Sequence, residues 1–197
     1  MPNRLILGTG ELMENNERRK EVLDTCLDTF ISNGLSETTV RDLSTALNLQ
    51  SGGIYYWFKD KDEAVVACAE EAALRLENSL IFPALNDIKD PDQLMKRLQV
   101  RADEMRPTMK FFASVCALSK YEGRMQPVLV RLAERYERYA QRFAEELHCD
   151  FNEVAPYVYF AITTITDYMI FGEAKYIFPQ IELIKTALKG FLQEGTE

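Results

Sequence analysis

Residues 38–63 read TTVRDLSTALNLQSGGIYYWFKDKDE, and the spacing of apolar side chains in this stretch organises the chain around it. A helix starts at Thr38 or Thr39, where a hydroxyl accepts a bond from an amide that the first turn leaves unpaired. Val40, Leu43 and Leu47 then share one face. Asn48-Leu49-Gln50 interrupts the pattern, and a third short segment over residues 51–58 places Ile54 and Phe58 four apart. Asp60 followed by Glu63 has the spacing of a capping box and opens a longer helix through Ala64, Val65, Cys68, Ala69, Ala72, Leu76 and Leu80. Two short helices across a tight turn, held together by Val40, Leu43, Leu47, Leu49 and Ile54, have the layout of a helix-turn-helix. Such a unit presents the start of its second helix to a DNA major groove. Any tight helical hairpin gives similar spacing, so the pattern alone leaves both DNA reading and simple packing open.

Outward from this core the chain stays helical, with no alternating strand pattern and no internal repeat. Upstream, Val22, Leu23, Cys26, Leu27, Phe30 and Ile31 form one stripe, and Asn33-Gly34 ends it because glycine reaches a left-handed cap cheaply. Downstream, Pro83, Pro91, Pro107, Pro127, Pro156 and Pro179 each stand where one periodic segment yields to another. Proline is tolerated in a helix's first turn and not inside it. The implied helices cover 91–105, 107–120, 126–148, 152–171 and 179–193. The expected fold is all-α, with a three-helix N-terminal domain and a C-terminal helical bundle. The expected organisation is a flexible tail over 1–14, a helix-turn-helix domain over 15–62 and a larger helical domain over 63–197.

Composition narrows the function classes. Of 197 residues, 47% are hydrophobic, with 9 Tyr and 11 Phe, too many for a disordered chain. The net charge of −8 argues against coating nucleic acid or an anionic membrane by bulk charge, though it leaves room for a local DNA site. Residues 1–62 carry −3 of it and residues 51–58 carry none, so only a few phosphates are expected to be gripped. Cys26, Cys68, Cys116 and Cys149 are more than 30 residues apart, which fits neither a disulfide framework nor a close-spaced zinc site. The longest uncharged stretch of interest, 154–166, falls short of the roughly 20 apolar residues of a bilayer span. The expectation is a cytoplasmic protein with no membrane partner.

The combination of TTVRDL at 38–43 with Gly52-Gly53-Ile54-Tyr55-Tyr56-Trp57-Phe58-Lys59-Asp60-Lys61-Asp62-Glu63, preceded by Phe30 and Asn33-Gly34, resembles the N-terminal signature of the TetR family of bacterial transcriptional regulators. The resemblance covers roughly residues 18–66 and implies a repressor that binds a palindromic double-stranded DNA operator. It also implies a C-terminal bundle that binds a small effector and a homodimer formed through the last two long helices. Two positions depart from the family's habit. Asn48 stands where Gly is common in the turn, and is the next most tolerant residue for a left-handed backbone. Gln50 stands where Ser or Thr commonly caps the recognition helix, so Ser51 is expected to cap it one residue later. An activator, or a helical interaction module without DNA binding, is the alternative reading.

The chemistry of single residues supplies the candidate sites. Gln50 can read adenine edges, the hydroxyls of Ser51, Tyr55 and Tyr56 can bond phosphates, and Gly53 permits close backbone approach. Thr39 and Arg41 can hold a phosphate at the start of the second helix. Lys61 matches the family position that reaches the DNA backbone, and Arg18-Arg19-Lys20 is either a solvated first turn or a phosphate grip. For the effector, Met109, Phe112 and Cys116 offer an adaptable apolar face extended by Tyr139 and Phe143. Thr163, Thr164 and Asp167 gather polar groups on an otherwise apolar helix. Asp167 has four readings: neutralising a cation, bonding a ligand hydroxyl, pairing with a buried arginine, or facing water. His148 beside Cys149 is two ligands short of a metal site, and no serine sits in a nucleophile elbow, so neither a catalytic residue, a metal nor a cofactor is expected.

Overall fold

The computed structural model describes residues 4–50, 52–87, 89–172 and 174–194, and the regular structure among them is helical throughout. The chain divides into two compact units, residues 1–72 and 73–197. The first holds α1 (Arg4–Asn33), α2 (Val40–Ala46), a single 3-10 turn (Gly53–Tyr56) and most of α3 (Lys61–Leu76). The second follows with a π turn (Glu77–Ile81), α4 (Phe82–Asp87), α5 (Pro91–Ala117), a 3-10 turn (Ser119–Tyr121), α6 (Glu122–Leu147), α7 (Phe151–Phe171) and α8 (Ala174–Glu194).

In the first unit, Val22, Cys26, Leu27 and Phe30 from α1 meet Leu43 from α2, Ile54 and Phe58 around the 3-10 turn, and Ala64, Val65, Cys68 and Ala69 from α3, all buried. Each such large apolar side chain contributes about 1.5–3 kcal/mol by leaving water. α1 ends at Asn33 and Gly34 takes φ 95°, as the cap requires. Both threonines at the start of α2 have work: buried Thr38 donates to the Gly34 carbonyl at 2.7 Å, and Thr39 is the cap. α3 opens with Asp60 accepting the Glu63 amide at 2.8 Å, but Glu63 reaches back to the Lys59 amide at 2.6 Å instead of closing on Asp60.

Two expectations need correction here. Residues 4–14, expected as a flexible tail, carry helical backbone continuous with α1 from Arg4, despite Gly8 and Gly10. The third segment, expected as a short helix over 51–58, is one 3-10 turn over Gly53–Tyr56. Gly52 sits at φ 97°, outside any right-handed helix, and the aromatic run behind it has little helix propensity to extend the turn.

In the second unit the prolines act differently from the expectation. α5 runs unbroken through Pro107, where residues 91–105 and 107–120 were expected as separate helices. An interior proline costs about 3 kcal/mol. Leu94, Leu98 and Ala102 before it, and Met109, Phe112 and Val115 after it, are buried on a helix packed against α7 and α8, and that burial outweighs the defect. Pro127, Pro156 and Pro179 are each the sixth residue of α6, α7 and α8, one turn deeper than a capping proline. α5, by contrast, starts as proline rules suggest, with Asp90 accepting the Gln93 amide at 3.0 Å and Pro91 in the first position.

α7 is long and apolar enough to cross a membrane by length and composition, with a mean hydropathy of 1.2 over its most apolar window. Here it is the central helix of the unit, packed on α5, α6 and α8. Ala84, Leu94, Leu98, Ala144, Leu147, Val154 and Leu188 form the surrounding core. His148 ends α6 as a left-handed cap at φ 57°, and its amide donates to Glu145 at 3.3 Å.

Candidate nucleic-acid interface and ligand cavity

The local sequence builds an exposed reading turn in the first unit. α2 ends at Ala46, and Asn48 takes φ 53°, which turns the chain toward Gln50. The Gly53 amide then donates to the Gln50 carbonyl at 2.9 Å and the Tyr55 amide to Gly52 at 3.1 Å. A β-carbon on Gly53 would stand 3.1 Å from the Leu49 side chain, so this glycine lets the turn lie close on the helix-turn-helix core. Ile54 and Phe58 anchor the turn inward, while Tyr55 and Tyr56 are 58% and 78% exposed and Gln50 is exposed beside them. Tyr56 lies edge-on to Trp57 with ring centroids 5.0 Å apart. Ser51, expected to cap this segment, lies outside the described residues; Gly52 precedes the turn without a side-chain cap.

The start of α2 is already furnished. The Thr39 hydroxyl donates to the Asp42 carboxylate at 2.7 Å, the Thr39 amide donates to the same oxygen at 2.8 Å, and the Asp42 amide returns a bond to the Thr39 hydroxyl at 3.2 Å. These bonds, the hydroxyl's first, hold the Asp42 carboxyl below its ordinary range. Thr39 thus caps α2 with the Asp42 carboxylate beside it, and Arg41 stays exposed. Lys61, at the first position of α3, donates to the Ser36 carbonyl at 3.2 Å and ties down the segment before α2. Of the basic cluster on α1, Arg18 pairs with Glu21 at 2.8 Å and Lys20 with Asp24 at 2.9 Å and Glu71 at 3.5 Å. Asp24 raises the Lys20 pKa.

The second unit encloses a cavity of about 130 Å³ walled by its helices. Of the expected residues, Met109, Phe112 and Phe143 line it. Cys116, Tyr139, Thr163 and Asp167 do not. Cys116 is half-buried elsewhere on α5, where burial raises its thiol pKa. Tyr139 turns its hydroxyl to Glu77 at 3.0 Å. Thr163 and Asp167 are exposed on the outward face of α7, with Thr163 donating to the Tyr159 carbonyl at 3.0 Å. The reason is angular: at 100° per residue Thr163 and Asp167 fall within 40° of each other, whereas Thr164 is turned by 100° from Thr163 and is buried. The hydroxyl group of three therefore splits between two faces.

Most of the wall comes from residues that carried no distinguishing sequence signal, such as Leu80, Met95, Leu98, Ile165 and Leu188. One spacing did point there: Ile162, Ile165, Thr166 and Met169 form an inward stripe on α7. Glu77, 4% exposed, is the charged residue on the wall among those described, and it is spoken for. Arg135 donates to its two oxygens at 3.0 and 2.9 Å, alongside Tyr139. Burial, reinforced by Glu77, pushes the Tyr136 phenol on the same wall up to about 12, so it stays a neutral hydroxyl. The cavity can hold an apolar molecule and is electrically quiet.

Comparison with known proteins meets the sequence reading at the N-terminal unit. Residues 22–68 match the model of the family described as bacterial regulatory proteins, tetR family. The HTH-type transcriptional repressor Rv1474c of Mycobacterium tuberculosis is 33% identical over 91 residues, 42% of this chain and 49% of that one. The HTH-type transcriptional repressor AcnR of Corynebacterium efficiens is 30% identical over 115 residues, 54% of this chain and 60% of that one. The HTH-type transcriptional repressor KstR2 of Mycobacterium tuberculosis is 40% identical over 75 residues, 38% and 35% of the two chains. The chain thus spans about half the length of the first two of these relatives. Over the matched segment, which carries the exposed turn, the chain is similar to the bacterial regulatory proteins of the tetR family.

Proposed function

We propose that this chain is a sequence-specific DNA-binding transcriptional repressor that acts in the cytoplasm as a homodimer on a palindromic operator and is released by a small effector. The observation that carries the reading is the exposed Gln50–Tyr56 turn mounted on the segment that matches the family. Residues 15–62 do the reading, with Gln50 reading base edges, Thr39, Arg41, Ser51, Tyr55, Tyr56 and Lys61 contacting phosphates, and Gly53 allowing close approach. Residues 63–197 bind the effector and dimerise, with α7 and α8 as the dimer face. Tyr159, Thr163, Asp167 and Phe171 recur every four residues on the exposed side of α7, and Leu183 is exposed on α8, which supports that assignment. The names of the similar proteins, all transcriptional repressors, support the sign of regulation.

Two reading turns in one dimer must meet half-sites about 34–36 Å apart. An effector that binds better to a form with another separation lowers operator affinity by its differential affinity for the two forms. The experiment is a selection of random-sequence duplexes by the purified full chain. Recovery of a palindrome with half-sites one helical turn apart is expected, and a pool without any enriched palindrome overturns the reading.

A further inference from the structure

Thr164 departs from what six other helical hydroxyls of this chain do. Thr29, Ser44, Thr45, Ser114, Thr163 and Thr186 each donate to the carbonyl four residues earlier, at 2.7–3.0 Å. Thr164 is 2% exposed and its Oγ1 has no hydrogen-bond partner among the described residues. A buried hydroxyl left in that state is costly, so it marks the place of a missing partner. Thr164 lines a small cavity of about 30 Å³ with Gln99 and Tyr168. Met95, Leu98, Ala161, Ile165 and Ile184 line both this cavity and the large one. The unpartnered hydroxyl therefore stands in a small cavity that adjoins the large one along these five side chains, and Gln99 and Tyr168 are the other polar residues around it.

Size and charge restrict what enters. Apolar cavities of about 150 Å³ take up a molecule the size of benzene, and the large cavity is about 130 Å³. The Glu77 carboxylate is already paired with Arg135, so a ligand anion would lose its water without gaining a counter-charge from the described wall, and a ligand cation would have to take Glu77 from its partner. We infer that the two adjoining cavities act as one enclosure and take a small uncharged molecule, apolar over most of its surface, whose one hydrogen-bonding group docks on the Thr164 hydroxyl. This rests on the reading of the second unit as the effector-binding domain and adds the chemical class of the effector.

The test uses the full chain with benzyl alcohol, toluene and benzoate as probes, their dissociation constants measured by NMR titration. The preference for benzyl alcohol over toluene is expected to fall about fivefold in Thr164→Val and to persist in Thr164→Ser, which keeps the hydroxyl. Benzoate is expected to bind at least about tenfold more weakly than benzyl alcohol. The same preference in wild type and Thr164→Val, benzoate binding on a par with benzyl alcohol, or no binding of any probe overturns the inference. A gel shift on the selected operator keeps the two claims apart. Probe binding with the expected preference but no release of DNA leaves the pocket chemistry standing and counts against effector-driven repression.

Discussion

Lys61 and Gln50 sit near the same reading turn but do different work, and substitution separates them. Lys61 carries charge and also holds the Ser36 carbonyl, whereas Gln50 is an exposed amide with base-reading geometry. Lys61→Ala is expected to weaken every duplex alike and flatten the salt dependence by about one unit. Gln50→Ala is expected to relax preference at particular base pairs by about 1–3 kcal/mol. Gel shifts over a salt series and a panel of operator variants read both, and base-specific losses of equal size from the two substitutions refute the assignment. At this scale the caps were legible, because Thr39 with Asp42 and Asp60 with Glu63 bond within four residues of each other. The roles of Thr163, Thr164 and Asp167 were not. Which side of an apolar helix faces the core depends on the helices around it, and the stripe of Ile162, Ile165, Thr166 and Met169 does not by itself say which way Thr164 turns.

Elements are joined in this protein by a few polar contacts whose loss has a calculable sign. Glu77 in the π turn meets Arg135 and Tyr139 of α6 from a buried position. Glu77→Ala leaves a partly buried arginine without its counter-charge and is expected to cost about 3 kcal/mol, read as a lower denaturant midpoint at unchanged slope. Glu77→Leu combined with Arg135→Met is expected to recover most of that loss, since an apolar pair of similar volume is often no worse than a buried ion pair. Failure of the double variant to recover argues that the pair positions the π turn.

At the other end of the unit, Lys185 and Lys189 of α8 reach Asp92 of α5 at 2.7 and 2.9 Å and hold its carboxyl down to about 2. A depressed carboxyl stabilises the fold above its unfolded pKa of about 3.8 and stops doing so as pH falls through its folded value. Acid unfolding between about pH 4 and pH 2 is therefore expected to be less steep in Asp92→Asn, monitored by circular dichroism. The element map itself was readable except before residue 15, at the 3-10 turn over Gly53–Tyr56 and at α5. Proline counted as a stop in α5, and long-range packing on α7 and α8 overruled it.

At the scale of the assembled molecule the net charge of −8 shapes how DNA is engaged. Under the proposed function few phosphates are gripped, so non-specific affinity is expected to be weak and tight binding to depend on two correctly spaced turns. Phe171, 71% exposed on the outward face of α7, tests the second subunit's part in this. Phe171→Asp is expected to leave thermal stability of the isolated chain nearly unchanged, shift sedimentation toward a monomer, and abolish retention of the palindrome. A dimer that survives this substitution and still binds moves the interface away from α7. Inserting five base pairs between the half-sites is expected to have the same effect on binding as losing the dimer, since it places the half-sites on opposite sides of the duplex.

The amino-acid sequence by itself determined the all-helical class, the caps and turns of the first seventy residues and the family signature over 22–68, because each depends on residues within a few positions of one another. The left-handed Asn48 and the exposed tyrosines of the reading turn belong to that local grammar. Only the tertiary structure decided which residues enclose the cavity, that Glu77 is neutralised by Arg135, and that Thr164 turns inward while Thr163 and Asp167 turn out. An enclosure is a relation among six helices and the π turn, spread along the chain, and its shape follows from how their apolar faces pack, which periodicity along any one of them does not specify.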